Sequence, residues 1–280
     1  MRQIFPQGSA APDLGTVPGD SHKARPEAVA ALAALYAYPD TAGRAAPWLR
    51  ANMISSVDGA ATLNNRSGQL SGPADRLVFG ILRSLADVIL VGAGTARAEK
   101  YQPVRGQEVW QSLREGRPPT PPISVVTREL DLDLDGPLVT GASGEARTIL
   151  LTTDAAPAGR RAAAAEHADL VVAGHDSVSP AAAVGVLADR GYRRILVEGG
   201  PSLLRQITDA DLLDELCMTF SPVLEGGRAG RILAAPEAAG PGRGRRTGTA
   251  AWHGAAARLA LAHVLEDDGS LLCRYLRCPG

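Results

Sequence analysis

The segment that most constrains the fold is a short apolar run that ends in an acid, two glycines and a proline, within residues 193–204. Gly199 and Gly200 can take backbone angles that other residues avoid, which lets a ligand approach the main chain. Pro201 suits the first position of a helix, where a missing N–H costs nothing. The free N–H groups and the dipole of that helix start favour an anion. The segment therefore predicts a phosphate-binding turn with Glu198 at its mouth, although Gly-Gly-Pro alone also fits a simple tight connection.

Strand and helix patterns alternate from about residue 49 onward. Helix starts are predicted near residues 26, 73, 155, 179 and 201. Predicted strands cover residues 49–57, 87–91, 123–127, 148–152, 170–173, 193–197, 215–221, 257–266 and 270–276. Asp267-Asp268-Gly269 between the last two is a hairpin motif. The alternation predicts an α/β fold with a mostly parallel central sheet, flanking helices and a C-terminal antiparallel hairpin.

The same pattern divides the chain into a leader and one domain. Residues 1–24 are rich in Pro, Gly, Ser and Asp and are predicted to be a mobile leader. Residues 25–280 are predicted to form a single domain, which a chain of this length with 45% hydrophobic residues can build around a large core.

Composition argues against several classes of partner and places the protein in the cytoplasm. A net charge of −1 without a basic block is not the footprint of a nucleic-acid binder. Three scattered cysteines without a Cys-x-x-Cys pair indicate a reducing compartment. No stretch reaches the roughly 20 apolar residues that a membrane span needs.

Residue types also exclude familiar chemistries. Only two lysines occur, Lys23 and Lys100, so a Schiff-base lysine is not expected. The five histidines lack metal-ligand spacing, and a zinc-deaminase motif, a Gly-x-Ser-x-Gly elbow and a Walker loop are all missing. Glycine loops, hydroxyls and carboxylates remain, and no metal site is predicted.

A second glycine loop follows the predicted strand at 87–91. Gly92-Ala93-Gly94-Thr95-Ala96-Arg97 nearly matches a dinucleotide fingerprint, but its sixth position is Arg. It fits better as a second phosphate-facing loop in which Thr95 offers a hydroxyl. The strand at 49–57 is unusually polar for a core strand, which indicates a ligand surface. Two glycine loops after two strands suit one extended nucleotide.

Three motifs in series resemble the pyrimidine reductase of riboflavin biosynthesis: NMISSVDG at 52–59, LRSLADVILVGAGTARAE at 82–99, and VEGGP at 197–201 followed by LDEL at 213–216. The resemblance covers residues 48–278 in order and implies a dihydrofolate-reductase-like fold. It implies an NADPH-dependent enzyme, without metal or flavin, that reduces 5-amino-6-(5-phosphoribosylamino)uracil to its ribityl form. It also implies a homodimer.

The resemblance assigns roles residue by residue. Together with the glycine loops it implies a cofactor set of Ile54, Ser55, Ser56, Gly92, Gly94, Thr95, Glu99, Thr127, Arg128, Gly199, Gly200, Pro201, Ser202, Leu203 and Leu204. Within this set, Gly199 to Leu204 would hold the pyrophosphate, and Thr127 and Arg128 the 2′-phosphate. Substrate contacts would come from Ser67, Arg83, Arg105 and Glu198. Asp58 and Glu198 are the expected catalytic carboxylates, as substrate anchor or proton source.

The chain departs from the family pattern at two points, and two alternative functions stay open. The family often has Asp where this chain has Glu99, and many relatives carry an N-terminal deaminase where this chain has only the leader. Because the same fold reduces dihydrofolate, a dihydrofolate or pterin reductase is the first alternative. The second is a regulatory module that binds NADPH without turnover.

Overall fold

The computed structural model describes residues 1–6, 14–20, 23–40, 43–142, 144–234 and 257–278. The helices in these ranges are α1 (Pro26–Leu35), α2 (Pro73–Leu85), α3 (Ala93–Ala98), α4 (Pro137–Thr140), α5 (Ala158–His167), α6 (Pro180–Asp189) and α7 (Pro201–Asp209). The strands are β1 (Arg2–Phe5), β2 (Trp48–Ser56), β3 (Val88–Gly92), β4 (Ile123–Val126), β5 (Ile149–Thr152), β6 (Asp169–Val172), β7 (Arg194–Val197), β8 (Glu215–Ser221), β9 (Leu259–Asp267) and β10 (Ser270–Arg277).

The strands that the structure describes form one sheet in the order β1-β9-β10-β8-β2-β7-β3-β4-β5-β6. The run from β8 to β6 is parallel, whereas β10 pairs antiparallel with β8 and β9, and β1 with β9. The predicted mostly parallel sheet with a closing antiparallel hairpin is confirmed. Because β7 lies between β2 and β3, the loops that follow these three strands meet at one edge, where open α/β sheets bind ligands.

Helices cover both faces of the sheet. One buried cluster packs α1 and α2 against the sheet, and a second packs α6 and α7 against it. Val88 to Val91 are fully buried, as expected of a parallel strand that is covered on both sides. Five helices begin with proline, including the predicted Pro73, Pro180 and Pro201.

The first residues of the chain differ from the prediction. Arg2–Phe5 form β1 at the sheet edge, where Arg2 pairs with Glu266. Leu14 is buried in the core. A mobile leader is therefore wrong for these positions, because their partners lie far along the chain and local composition does not reveal them. Residues 7–13 and 21–22 of the predicted leader lie outside the described residues.

A buried ionic network joins the parallel and antiparallel parts of the sheet. Arg50 on β2 and Glu215 on β8 are register partners, both fully buried, with Nε 2.7 Å from Oε1. Arg274 on β10 donates from Nε to the same oxygen at 2.7 Å, and Trp48 donates its indole N–H to Oε2 at 2.9 Å. Burial raises the pKa of Glu215, but the two guanidinium groups outweigh that effect and hold the pKa below its ordinary value.

Removing Glu215 would leave Arg50 buried without its counter-charge. We expect Glu215→Ala to lower the free energy of unfolding by about 3–5 kcal/mol in urea denaturation. Glu166, an exposed acid on α5, provides the matched control, whose Ala variant should change stability by no more than about 0.5 kcal/mol. A loss of less than about 1 kcal/mol for Glu215→Ala, the value of a surface pair, would contradict this role.

Candidate active site

A cavity of about 860 Å³ opens at the carboxyl edge of β2, β7 and β3. Its walls are Asn52 to Ile54 of β2, one face of α2, parts of α3, the loop after α3 and the start of α7. A cavity of this volume is at the upper end of the range for small-molecule sites. The space is therefore sufficient for two ligands lying side by side.

The cavity collects predicted residues from distant parts of the chain. Those that line it are Ile54, Ser67, Arg83, Gly94, Thr95, Glu99, Arg105, Glu198, Gly200 and Pro201. Six of the predicted cofactor residues and all four predicted substrate residues thus border one continuous space. This is the arrangement that a transfer between two bound molecules requires.

The two glycine loops pack directly against each other. The Gly92 N–H donates to the carbonyl of Gly199 at 2.9 Å. Gly199 has a φ of +84°, in the region that favours glycine. A Cβ added to Gly200 would lie 2.2 Å from the Thr95 hydroxyl oxygen. Glycine at 200 is therefore what allows the turn after β7 to approach α3.

The start of α7 presents main-chain donors at this edge. Gly200 is its N-cap and supplies no capping side chain. The first N–H groups of a helix have no intrahelical acceptor, so those of Ser202 and Leu203 are available. The side chains of Leu203 and Leu204 are buried in the core, so only the main chain of these residues can face a ligand. These donors and the helix dipole fit the diphosphate of a dinucleotide.

A buried ion pair also lines the cavity. Arg83 binds Glu198 through two hydrogen bonds, Nε to Oε1 at 2.7 Å and Nη2 to Oε2 at 2.8 Å. The Tyr101 hydroxyl donates to Oε2 at 2.7 Å. Burial lowers the pKa of Arg83, but Glu198 outweighs it and the pKa is raised. Burial and the neighbouring Glu198 raise the pKa of Tyr101. Glu198 accepts all three of these hydrogen bonds, which favours an anchoring role over proton donation.

The long loop between α3 and β4 is anchored over the cavity. The Glu108 carboxylate forms ion pairs with both Arg83, at 3.3 Å, and Arg105, at 2.7 Å. Further along the loop, Arg114 and Arg117 donate to the last carbonyls of α2, including that of Ala86 at 2.8 and 3.1 Å. These bonds cap the C-terminus of α2 with two cations. Tyr101 and Arg105 of this loop line the cavity.

Glu99 holds a second segment in place. Its Oε1 accepts hydrogen bonds from the main-chain N–H and the hydroxyl of Ser67, at 2.7 and 2.8 Å. A residue expected to contact cofactor and one expected to contact substrate are therefore bonded to each other. This contact brings the loop after β2 to the cavity wall.

Asp58 lies outside the cavity, contrary to its expected catalytic role. Its carboxylate accepts hydrogen bonds from the Ser56 hydroxyl at 2.5 Å and from the main-chain N–H groups of Gly226 at 2.8 Å and Glu225 at 3.2 Å. These bonds lower the pKa of Asp58 to about 2, and the bond from Ser56 has the largest effect. Asp58 therefore ties the loop after β8 to the end of β2.

Other predicted cofactor residues also lie outside the lining. The side chains of Ser55 and Ser56 are buried, and the Ser55 hydroxyl donates to the Ser56 carbonyl at 3.0 Å. Thr127 is buried, while Arg128 is exposed at the end of β4 and pairs with Glu129 at 2.9 Å. Gly92, Gly199, Ser202, Leu203 and Leu204 are likewise absent from the lining.

Several lining residues were not predicted from the sequence. They include Asp75, Phe79, Tyr101 and Trp110. The spacing of Asp75, Phe79 and Arg83 at four-residue intervals places all three on one face of α2. This four-residue spacing is visible in the sequence. It does not distinguish a cavity-lining face from an ordinary helix face unless the elements that pack against the helix are known. Trp110 packs so closely on Gly80 that a Cβ there would lie 2.9 Å from the indole ring.

The part of the chain that the structure describes contains no cluster of His, Cys, Asp and Glu side chains suited to a metal ion. None of its helices has the length and apolar character needed to cross a membrane.

Comparison with known proteins gives a family match and named relatives. The family model described as the RibD C-terminal domain matches residues 47–243. A 2,5-diamino-6-ribosylamino-4(3H)-pyrimidinone 5′-phosphate reductase of Archaeoglobus fulgidus is 28% identical over 185 residues, covering 65% of this chain and 83% of the relative. The enzyme of the same name from Methanothermobacter thermautotrophicus is 27% identical over 187 residues, covering 67% and 83%.

Solved structures share the fold. A pyrimidine reductase-like protein from Corynebacterium diphtheriae superimposes with a TM-score of 0.74 at 24% identity, covering 89% of this chain and 99% of that one. The riboflavin biosynthesis reductase Rib7 of Saccharomyces cerevisiae gives 0.57 at 14% identity, covering 84% and 92%. At these identities the likeness concerns the fold, which is the predicted one.

Gly200→Ala tests the packing of the two glycine loops. Because the new methyl group meets the Thr95 hydroxyl, we expect a loss of about 1–3 kcal/mol in the free energy of unfolding. Thr95→Ala removes that oxygen and should restore part of the loss in the double variant. Gly185→Ala in α6, where a Cβ meets nothing within 4 Å, should instead stabilise the protein by about 0.5–1 kcal/mol. An unchanged Gly200→Ala stability would show that the loops do not pack in this way.

Proposed function

The chain belongs to the RibD C-terminal domain family, and on this basis we propose that it is an NADPH-dependent reductase of riboflavin biosynthesis. Its substrate is a ribosylamino-pyrimidine phosphate, the class of compound named for the two archaeal relatives. The observation that supports this function best is the joining of two glycine loops and the Arg83–Glu198 pair in one cavity.

The cofactor side of the proposed site consists of main chain and small side chains. The N–H groups at the start of α7 bind the diphosphate, and Gly200 and Gly94 leave room for it. Ile54 and Thr95, which both line the cavity, contact the nicotinamide. When bound, reduced nicotinamide supplies a hydride to the carbon of the substrate C=N bond. The residues of the chain position the two ligands and supply the electrostatic field around them.

The substrate side carries the charged groups. Arg83 is held rigidly by Glu198 and stacks on Phe79, with its guanidinium carbon 4.3 Å from the ring centre. Glu198 already accepts three hydrogen bonds, and a carboxylate has about four acceptor positions, so one is left for a substrate hydroxyl. The side chain of Arg105 is 64% exposed at the rim, where it can meet the substrate phosphate.

A proton must reach the substrate nitrogen when its carbon gains hydride. Tyr101 stays protonated because its pKa is raised, but its hydroxyl is bonded to Glu198. Glu198 is held as an acceptor by Arg83. These two groups therefore orient the ribose end of the substrate, and the proton comes from water or from a further acid of the cavity.

Turnover with NADPH tests the function. The purified protein should oxidise NADPH, followed by loss of reduced-nicotinamide absorbance, when a ribosylamino-pyrimidine phosphate is added. Dihydrofolate serves as the alternative substrate, and oxidation with it alone would make the protein a dihydrofolate reductase. Binding of NADPH without oxidation by either compound would favour the non-catalytic module and contradict the proposal.

Arg83→Lys separates substrate binding from cofactor binding. Lysine keeps the charge but loses the two-pronged contact to Glu198. We expect the pyrimidine KM to rise about tenfold or more, since a charge-assisted contact is lost, while the NADPH Kd stays within about twofold. Arg190→Lys at the end of α6 is the matched control. Equal changes in KM and in NADPH Kd would indicate a structural role.

Arg128 is proposed to select NADPH over NADH. It lies exposed at the end of β4, the neighbour of β3, where it can reach a 2′-phosphate beyond the cavity. We expect Arg128→Ala to weaken NADPH about tenfold and to leave NADH unchanged, because one charge-assisted contact is removed. Titration of both nucleotides checks this, with Arg190→Ala as the control. An equal loss for both nucleotides would overturn the assignment.

A further inference from the structure

Glu108 places a carboxylate between two arginines that line the cavity on its proposed substrate side. Its Oε1 accepts a hydrogen bond from Nε of Arg105 at 2.7 Å, and its Oε2 accepts one from Nη1 of Arg83 at 3.3 Å. A single 3₁₀ turn at Gly106–Glu108 produces this contact, because the Glu108 N–H donates to the Arg105 carbonyl at 2.8 Å. Such a turn aligns side chains that are three residues apart. Both oxygens of the carboxylate therefore face a cation.

Glu108 contacts the one nitrogen of Arg83 that Glu198 leaves open. Nε and Nη2 of this guanidinium both donate to Glu198, so Nη1 is the nitrogen available to a further anion. Arg105 has no acid partner other than Glu108 among the described ion pairs. A substrate phosphate held by Arg83 and Arg105 would use the same donors, because phosphate oxygens bind guanidinium groups as carboxylate oxygens do.

The two acid partners of Arg83 are held with different strength. The pair with Glu198 is buried and has two short hydrogen bonds. The contact with Glu108 is one longer bond, and the Glu108 side chain is 27% exposed. Ion pairs that reach solvent contribute little to stability, and a phosphate group carries about two negative charges near neutral pH. A phosphate in this position is therefore a stronger ligand for the arginines than Glu108, whose side chain can turn toward solvent.

We propose that the Glu108 carboxylate competes with the substrate phosphate for Arg83 and Arg105, and so limits which anions bind in the cavity. The inference rests on the proposed reductase function and concerns the selectivity of the same site. A free phosphate ion must displace Glu108 and gains only the bonds to the two arginines. The phosphorylated pyrimidine also gains contacts with Glu198 and with the cofactor. Glu108 thus weakens the binding of every phosphate compound, and only a ligand with further contacts still binds well.

Glu108→Gln tests this competition, because it keeps the shape of the side chain and removes its charge. We expect the KM of the ribosylamino-pyrimidine 5′-phosphate to fall about three- to tenfold, since two partly exposed ion pairs no longer oppose the phosphate. The inhibition constant of inorganic phosphate, measured by competition with that substrate, should fall by a similar factor. The NADPH Kd should stay within about twofold. Glu115→Gln, at an exposed acid of the same loop, is the matched control and should leave all three constants unchanged.

The sign of the change separates competition from positioning. If Glu108 instead positions the two arginines, its loss raises the KM and weakens inhibition by phosphate, and that result overturns the proposal. An unchanged KM overturns it as well.

Arg105→Gln checks the location of the phosphate. It should raise both the KM of the phosphorylated pyrimidine and the inhibition constant of phosphate about tenfold, because a charge-assisted contact is lost. Unchanged constants would place the phosphate elsewhere and overturn the proposal. In all these cases the reductase function still stands. The function fails, and the proposal with it, only if the wild-type protein reduces no ribosylamino-pyrimidine phosphate.

Discussion

The site depends on the close contact between the turn after β7 and the start of α3. Gly199 and Gly200 allow this contact, since a side chain at 200 would occupy the space of the Thr95 hydroxyl. The contact follows from the strand order, because β7 lies between β2 and β3. Parallel strands end at one edge, so three loops that are distant in sequence converge there. The cavity is the space that these loops and α2 leave open.

Three buried carboxylates show how the same group serves different ends. Glu215 is closed in by Arg50 and Arg274 and joins strands of the sheet. Glu198 is paired with Arg83 but borders the cavity, so its geometry is fixed while one acceptor position stays open. Asp75 lines the same cavity and accepts a hydrogen bond from the Ser71 hydroxyl. The three carboxylates differ in how completely arginine side chains pair with them. Glu215 is fully paired and structural, Glu198 is paired at the cavity wall and suits an anchoring role, and Asp75 has no arginine partner among the described ion pairs.

Much of this architecture could be predicted from the sequence because its determinants are local. The apolar runs, the prolines at helix starts and the Gly-Gly turn each act within a few residues, and they predicted the sheet and the position of α7. Contacts between residues that are far apart in the sequence could not be predicted in this way. The pairing of β1 with β9 joins residues 264 positions apart. Asp58 has the sequence of a catalytic motif, but its hydrogen bonds run to the loop after β8. Asp75 was missed because a first-turn acid ordinarily serves the helix dipole, and only the folded structure shows that it is buried.

The central claim is that a reduced dinucleotide and a pyrimidine bind together in the cavity at the carboxyl edge of β2, β7 and β3. A crystal structure with NADP⁺ and the reduced pyrimidine product tests it most directly. We expect the diphosphate at the N–H groups of Ser202 and Leu203, the nicotinamide against Ile54, and the substrate beside Arg83 and Glu198. A nucleotide bound elsewhere, or a pyrimidine that does not contact the nicotinamide, would contradict it.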